Sequence, residues 1–145
     1  MYRRIAEYTA ALELFSRVLD LLKNDETVYI QRGQVYQDMG NHEKAIEDFN
    51  EAIKISEAAN NRHYWSYFYL GMSYLKSRYP REALIHLTRA NDLDGDSQEP
   101  RILDGLAQSY HQLGNYEEAL GWYAEALLKD PKNVDFHSNL ANCYY

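Results

Sequence analysis

YIQRGQVYQDMGNHEKAIEDF, residues 29–49, carries the pattern that decides the fold: Tyr29, Arg32-Gly33 and Tyr36, a Gly40-Asn41 break, then Ala45 and Phe49. Side chains meant for packing recur three and four residues apart on both sides of the break, which makes each side one face of a helix. A glycine at the break can take the left-handed conformation that ends a helix, and asparagine can cap the next one. The stretch therefore encodes two short helices joined by a tight turn.

The same unit is written again further on. Tyr67-x2-Leu70-Gly71-x2-Tyr74 is followed by Ala83-x3-Leu87, and Leu103-x2-Leu106-Ala107-x2-Tyr110 by Ala119-x3-Tyr123. Ala11, Ala45, Ala83 and Ala119 stand 34, 38 and 36 residues apart, and Phe15, Phe49, Leu87 and Tyr123 keep those intervals. Tyr36, Tyr74, Tyr110 and Tyr144 give 38, 36 and 34, so the departures from 34 fall between units, near 60–63 and 98–99. Ala45 and Ala52, Ala83 and Ala90, and Ala119 and Ala126 lie seven apart on one helix face, where small side chains let paired helices approach closely. Most of the 14 tyrosines then read as packing groups within and between units.

This periodicity, with its Tyr-x2-Leu-Gly-x2-Tyr and Ala-x3-Phe elements, resembles the tetratricopeptide repeat family, helix-turn-helix units of about 34 residues. The resemblance implies an all-α fold, a right-handed superhelix of stacked antiparallel helix pairs, over essentially the whole chain. In its register, residues 4–24 are the second helix of a partial first unit. Residues 26–59, 64–97 and 100–133 are full units, and 134–145 are the first helix of a partial last unit, all within one array, 1–145. The third unit turns at Tyr79-Pro80-Arg81, with proline suited to the first turn of a helix. Stacked repeats ordinarily need polar terminal caps. The expectation is therefore a segment of a longer array, or ends covered by a partner or a second copy.

Composition narrows the function classes. With 145 residues, 26% charged and 46% hydrophobic, the chain reads as one soluble domain or one block of an array. No apolar run reaches the roughly 18 residues of a membrane span, and Glu7 and Glu13 interrupt any signal-peptide core. A net charge of −7 argues against general nucleic-acid binding, which needs a concentrated basic surface. The lone Cys143 excludes an internal disulfide and fits a reducing compartment. Together these point to an intracellular, cytoplasmic protein.

In the family, the first helices of successive units line a concave groove that holds a peptide or helix of a partner. Carried over by register, the groove positions of the second unit are Thr27, Ile30, Gln31, Gln34, Gln37 and Asp38. Those of the fourth are Arg101, Asp104, Gly105, Gln108, His111 and Gln112. Both sets are mainly polar. The third unit differs, offering Trp65, Phe68, Tyr69, Met72 and Leu75 with Lys76 at the edge, while Tyr67, Leu70, Gly71 and Tyr74 point into the stack. A helix apolar on nearly every side must be buried on nearly every side, so the aromatic and methionine cluster reads as the partner-binding surface. A second reading has the extra residues near 60–63 shift the helix and fold Trp65 and Phe68 into the chain's own core.

A subset of the family clamps the C-terminal carboxylate of chaperone tails with lysine, asparagine and arginine from three first helices. The matching positions here are Ile30, Gln34, Tyr69, Arg101 and Gly105, of which only Arg101 has the expected type. Starting one unit later gives Phe68, Met72, Gly105, Asp135 and Asn139, without a match. Capture in that mode is not expected, because a desolvated carboxylate needs several charge-assisted bonds.

Other chemistry is poorly supported. Asp92-x-Asp94-x-Asp96 has the start of a calcium loop, but Ser97 stands at the glycine position and Leu103 at the closing glutamate. His42, His63, His86, His111 and His137 lack the local spacing of a zinc helix. No Gly-x-Ser-x-Gly, phosphate-binding Gly-x4-Gly-Lys-Ser/Thr or dinucleotide Gly-x-Gly-x2-Gly signature occurs. The expectation is a non-enzymatic adaptor or scaffold without cofactor or metal, binding a protein partner in its groove through apolar anchors and a polar rim of Gln34, Gln108 and His111. The alternative is a structural subunit that assembles through open ends around Leu12 and Phe15 and around Leu140 and Tyr144.

Overall fold

The computed structural model describes residues 2–60 and 64–144. Helices follow one another as α1 (Tyr2–Leu21), α2 (Glu26–Asp38), α3 (His42–Ala58), α4 (Tyr64–Lys76), α5 (Pro80–Asp94), α6 (Pro100–Gln112), α7 (Tyr116–Lys129) and α8 (Val134–Tyr144). One 3-10 turn, Gly95–Ser97, extends α5. The fold is all-α, with no strand among the described residues. Helices α2 and α3, α4 and α5, and α6 and α7 pack as pairs, and α3 against α4 and α5 against α6 join each pair to the next. The core is thus a continuous strip in which each pair is stabilised by its neighbours. Residues 61–63, which hold most of the expected insertion and His63, lie outside the described residues.

Small residues set the spacing, as the register predicts. Ala45, Ala52, Ala83, Ala90, Ala119 and Ala126 are all fully buried. Gly33 faces the Phe49 ring so closely that a Cβ there would meet it at 2.6 Å, and a Cβ on Gly71 would meet Leu87 at the same distance. The glycines permit the helix crossings, and Phe49 and Leu87 fill the space.

The three turns within pairs share one geometry. The amide of Gly40 donates to Gln37 and that of Asn41 to Tyr36; Arg78 to Leu75 and Tyr79 to Tyr74; Gly114 to His111 and Asn115 to Tyr110. Gly40 and Gly114 adopt φ of 82° and 83°, whereas the middle turn places Arg78 at φ 68°, a conformation that costs a side-chain-bearing residue about 1 kcal/mol. Asn41 caps α3 by accepting from the Lys44 amide at 3.3 Å. Asn115 does not repeat this: its side chain makes no capping bond to α7. Its backbone matches that of Asn41, so the two turns agree in chain path and differ only in that bond.

One polar pair interrupts the apolar register. Arg32 stands where the next two units carry Leu70 and Leu106, and its Nε and Nη2 donate to Asp48 at 2.8 and 2.6 Å. Asp48 is buried, and the Arg32 guanidinium also lies 5.7 Å from the Tyr29 ring and 5.9 Å from that of Tyr36. The forked bond raises the Arg32 pKa. In the later units the Asp48 position holds His86 and Trp122, and the ion pair disappears with its arginine.

Candidate functional site

Helix α4 is the most apolar of the first helices, and its neighbours decide which of its side chains stay accessible. Phe68 and Leu75 do not line an open groove as the register suggested; they are 6% and 2% exposed. Both belong to one core cluster with Phe49 of α3, Leu87 of α5 and Ile102 and Leu106 of α6. Gly105 carries no side chain, and a Cβ there would sit 3.1 Å from the Met72 sulfur and 3.2 Å from Leu87, so α6 settles closely over both α4 and α5. Gln112 Nε2 then donates to the Leu75 carbonyl at 3.3 Å. Asp104 and Gly105, also expected in the groove, are buried as well, Asp104 against Asn139 of α8.

What remains accessible on α4 is narrower. Trp65, Tyr69 and Met72 are half-buried and pack against the core cluster that includes Phe49, Phe68 and Leu75. Tyr69 stacks on Phe49 at 5.6 Å and on Trp65 at 6.1 Å, and Phe68 meets Trp65 edge-on at 5.8 Å. Each partly exposed ring is backed by a buried one, which fixes its orientation at little entropic cost. Ile30 of α2 packs against the same cluster from one side. From the other, the Arg101 guanidinium lies 4.6 Å over the Trp65 ring while its Nε donates to Glu99 at 3.0 Å. Arg101 is therefore a lid over Trp65, not a free cation. Gln34 is half-buried on α2.

Gln108 and His111 sit further along α6, away from the aromatic cluster. Gln108 Nε2 donates to Asp104 at 2.6 Å, and His111 meets the Tyr116 ring edge-on at 5.4 Å. Asn139 of α8 also donates to Asp104, at 3.1 Å. Burial raises the Asp104 pKa, and these two amides pull it back. Gln108, Gln112 and Arg78 border a cleft of about 370 Å³ near the C-terminal ends of α4 and α6. Arg78 and this cleft were not foreseen; the signal was an arginine at the position where two other units carry glycine.

The remaining side chains singled out in the sequence have structural surroundings. Asp94 accepts the Glu99 amide at 2.6 Å, tying down the loop before α6. Cys143 lies 3.9 Å from the Tyr116 carbonyl, and burial raises its pKa, which keeps it a thiol. Leu12 and Phe15 are half-buried on α1, and Leu140 packs against Tyr123, Ala107 and Ala119. The large apolar side chains most exposed toward the ends are Leu14, Leu21, Leu128, Val134 and Tyr144. No helix among the described residues is long and apolar enough to cross a membrane.

Comparison with known proteins bears on the whole arrangement. The family model described as "Tetratricopeptide repeat" matches residues 24–96, and one described as "TPR repeat" matches 107–145. Anaphase-promoting complex subunit 3 of Schizosaccharomyces pombe is 28% identical over 127 residues, covering 88% of this chain and 18% of its own length. The Hsp70-Hsp90 organizing protein of Triticum aestivum is 23% identical, covering 95% of this chain and 29% of its own length. The chain thus spans less than a third of either relative. Among solved structures, MamA from Desulfovibrio magneticus RS-1 is similar at a TM-score of 0.83 and 20% identity, over 97% of this chain and 76% of that one. YrrB, described as having an unusual peptide-binding site, is similar at a TM-score of 0.75 and 24% identity, over 97% and 69%.

Proposed function

The chain belongs to the tetratricopeptide repeat family, and from that premise we propose that it is an adaptor whose concave face holds a peptide or helix of a partner protein. In general terms this fold is a protein–protein interaction module. The observation that carries the finer reading is the partly covered row Trp65, Tyr69 and Met72, flanked by Ile30 and Arg101 and backed by buried rings. Preorganised aromatic and methionine side chains are what an apolar anchor residue of a partner would seek. Similarity to YrrB, described by its peptide-binding site, and to an Hsp70-Hsp90 organizing protein accords with a protein partner. Phe68 and Leu75 would support this surface from beneath. The division into one array over 1–145, a non-catalytic role and a cytoplasmic setting belong to the same proposal.

Affinity capture from a cell extract with Trp65→Ala and Phe68→Ala variants tests it. Trp65→Ala should stay helical and lose partners that the unaltered chain retains. Phe68→Ala should instead lose about 3–5 kcal/mol of stability, as a core truncation does. An unchanged partner set with folded Trp65→Ala would remove the groove from the account.

A second reading, assembly with copies of itself or within a large complex, has its own observation: Leu14 and Leu21 on α1 are 61% and 84% exposed. The relative named as a complex subunit accords with it. Sedimentation across a hundredfold range of concentration separates self-assembly from groove binding.

A further inference from the structure

We infer that the cleft at the C-terminal ends of α4 and α6 binds acidic side chains of a protein segment. Two adjoining cavities carry the inference. One, of about 370 Å³, is bordered by His42, Lys76, Arg78, Gln108 and Gln112, with Leu75 as its apolar wall. A second, of about 230 Å³, shares Arg78, Gln108 and Gln112 and continues past His111 to Asn139 and Asn142 of α8. Together they form one polar run across the ends of three first helices.

Its two cations are uncommitted, whereas Gln108 and Gln112 each spend one amide hydrogen within the chain, on Asp104 and on the Leu75 carbonyl. Lys76 and Arg78 make no side-chain ion pair or hydrogen bond with a described residue, although the chain as a whole carries a net charge of −7. His42 Nδ1 is buried with no hydrogen-bond partner among the described residues. A cation near a helix C-terminus is favoured by the helix dipole alone, and that is enough to explain Lys76. It does not explain Arg78, whose backbone is held at φ 68° where the equivalent residues are Gly40 and Gly114. Glycine would make the same turn without strain, so the arginine is kept there against the backbone preference, and its side chain borders both cavities.

Two cations and several amides bordering one open run match a ligand rich in carboxylates, since charge-assisted bonds are the strong ones. The amides of Gln108 and Gln112 can in addition meet a peptide backbone. Two adjoining cavities of about 370 and 230 Å³ exceed what a single small anion fills, which suits an extended segment. The inference rests on the groove reading only in taking the ligand to be protein; the cleft lies apart from Trp65.

Hexaglutamate is a sufficient probe. Titrated into 15N-labelled protein, it should shift the side-chain signals of Arg78, Gln108 and Gln112 to saturation, and hexalysine should not. Arg78→Gly should weaken hexaglutamate binding at least about tenfold, the worth of one charge-assisted bond, while the melting temperature holds or rises because the turn relaxes. That combination rules out misfolding as the cause. Absence of shifts, or unchanged affinity in an Arg78→Gly/Lys76→Gln variant, would overturn the inference. So would equal shifts from inorganic phosphate at the same concentration, which would mark a plain anion site. The Trp65→Ala variant should bind hexaglutamate normally, so loss of the aromatic groove and loss of the acidic cleft are read separately.

Discussion

Asp104 is buried between α6 and α8, where the Gln108 and Asn139 amides donate to it, and burial raises its pKa. The folded chain therefore holds a proton at pH values where the unfolded chain has released it. This residue's contribution to stability falls as pH rises from the ordinary carboxylate value of about 4 through the raised one. Asp104→Asn should flatten that part of the urea-unfolding profile and leave the fold at least as stable at pH 7, because Gln108 can reverse its amide. A loss above about 1 kcal/mol at pH 7 would show instead that the carboxylate is needed as an acceptor. The repeat positions were legible at this scale: Ala45, Phe49, Leu87 and Tyr123 could be named as packing residues from spacing alone. The Arg32–Asp48 pair was not, because its members are 16 residues apart on different helices and neither belongs to the apolar pattern. Arg32 at a position that holds leucine in the next two units was the available hint.

Between elements, the decisive quantity is how closely helices cross. A Cβ on Gly71 would lie 2.6 Å from Leu87 and 3.3 Å from the Ala83 carbonyl, whereas one on Gly121, within α7, would meet nothing within 4 Å. Gly71→Ala should therefore cost about 1–3 kcal/mol by forcing α4 away from α5. Gly121→Ala should stabilise by up to about 1 kcal/mol through helix propensity. Chemical denaturation of the two variants checks both signs; equal effects would mean that the crossing at Gly71 is slack. Approach between helices also accounts for the part of the site that spacing misjudged. Register assigns Phe68 and Leu75 to the groove side of α4, but it carries no information on how near α6 comes. Gly105 permits a close approach to Met72 and Leu87, and with Phe68 and Leu75 buried, Trp65, Tyr69 and Met72 are the accessible remainder. The breaks at Gly40 and Gly114 were legible because glycine marks them, whereas α1, expected to reach residue 24, ends at Leu21 with no glycine or proline there; the turn with Arg78 in the left-handed position kept the same hydrogen bonds without the glycine.

Across the whole molecule, the pairwise contacts make a linear stack, so surfaces distant in the chain remain distinct. The aromatic row lies on α4, the basic cleft at the ends of α4 and α6, and the exposed Leu14 and Leu21 on α1. A linear stack can engage several segments of a partner at once, with apolar anchoring on one part and charge pairing on another. Fold class could be read from periodicity because each unit repeats the same local code, whereas the choice among these surfaces depends on what meets them. Photo-crosslinking tests that choice most directly. Benzoylphenylalanine is placed at Trp65, at Leu14 on α1, or at Ile85 on α5, and adducts formed in a cell extract are identified. The account predicts a discrete protein adduct from position 65 that positions 14 and 85 do not give. Adducts from 14 or 85 with none from 65 would contradict it and move the binding surface to the end or the outer face of the stack.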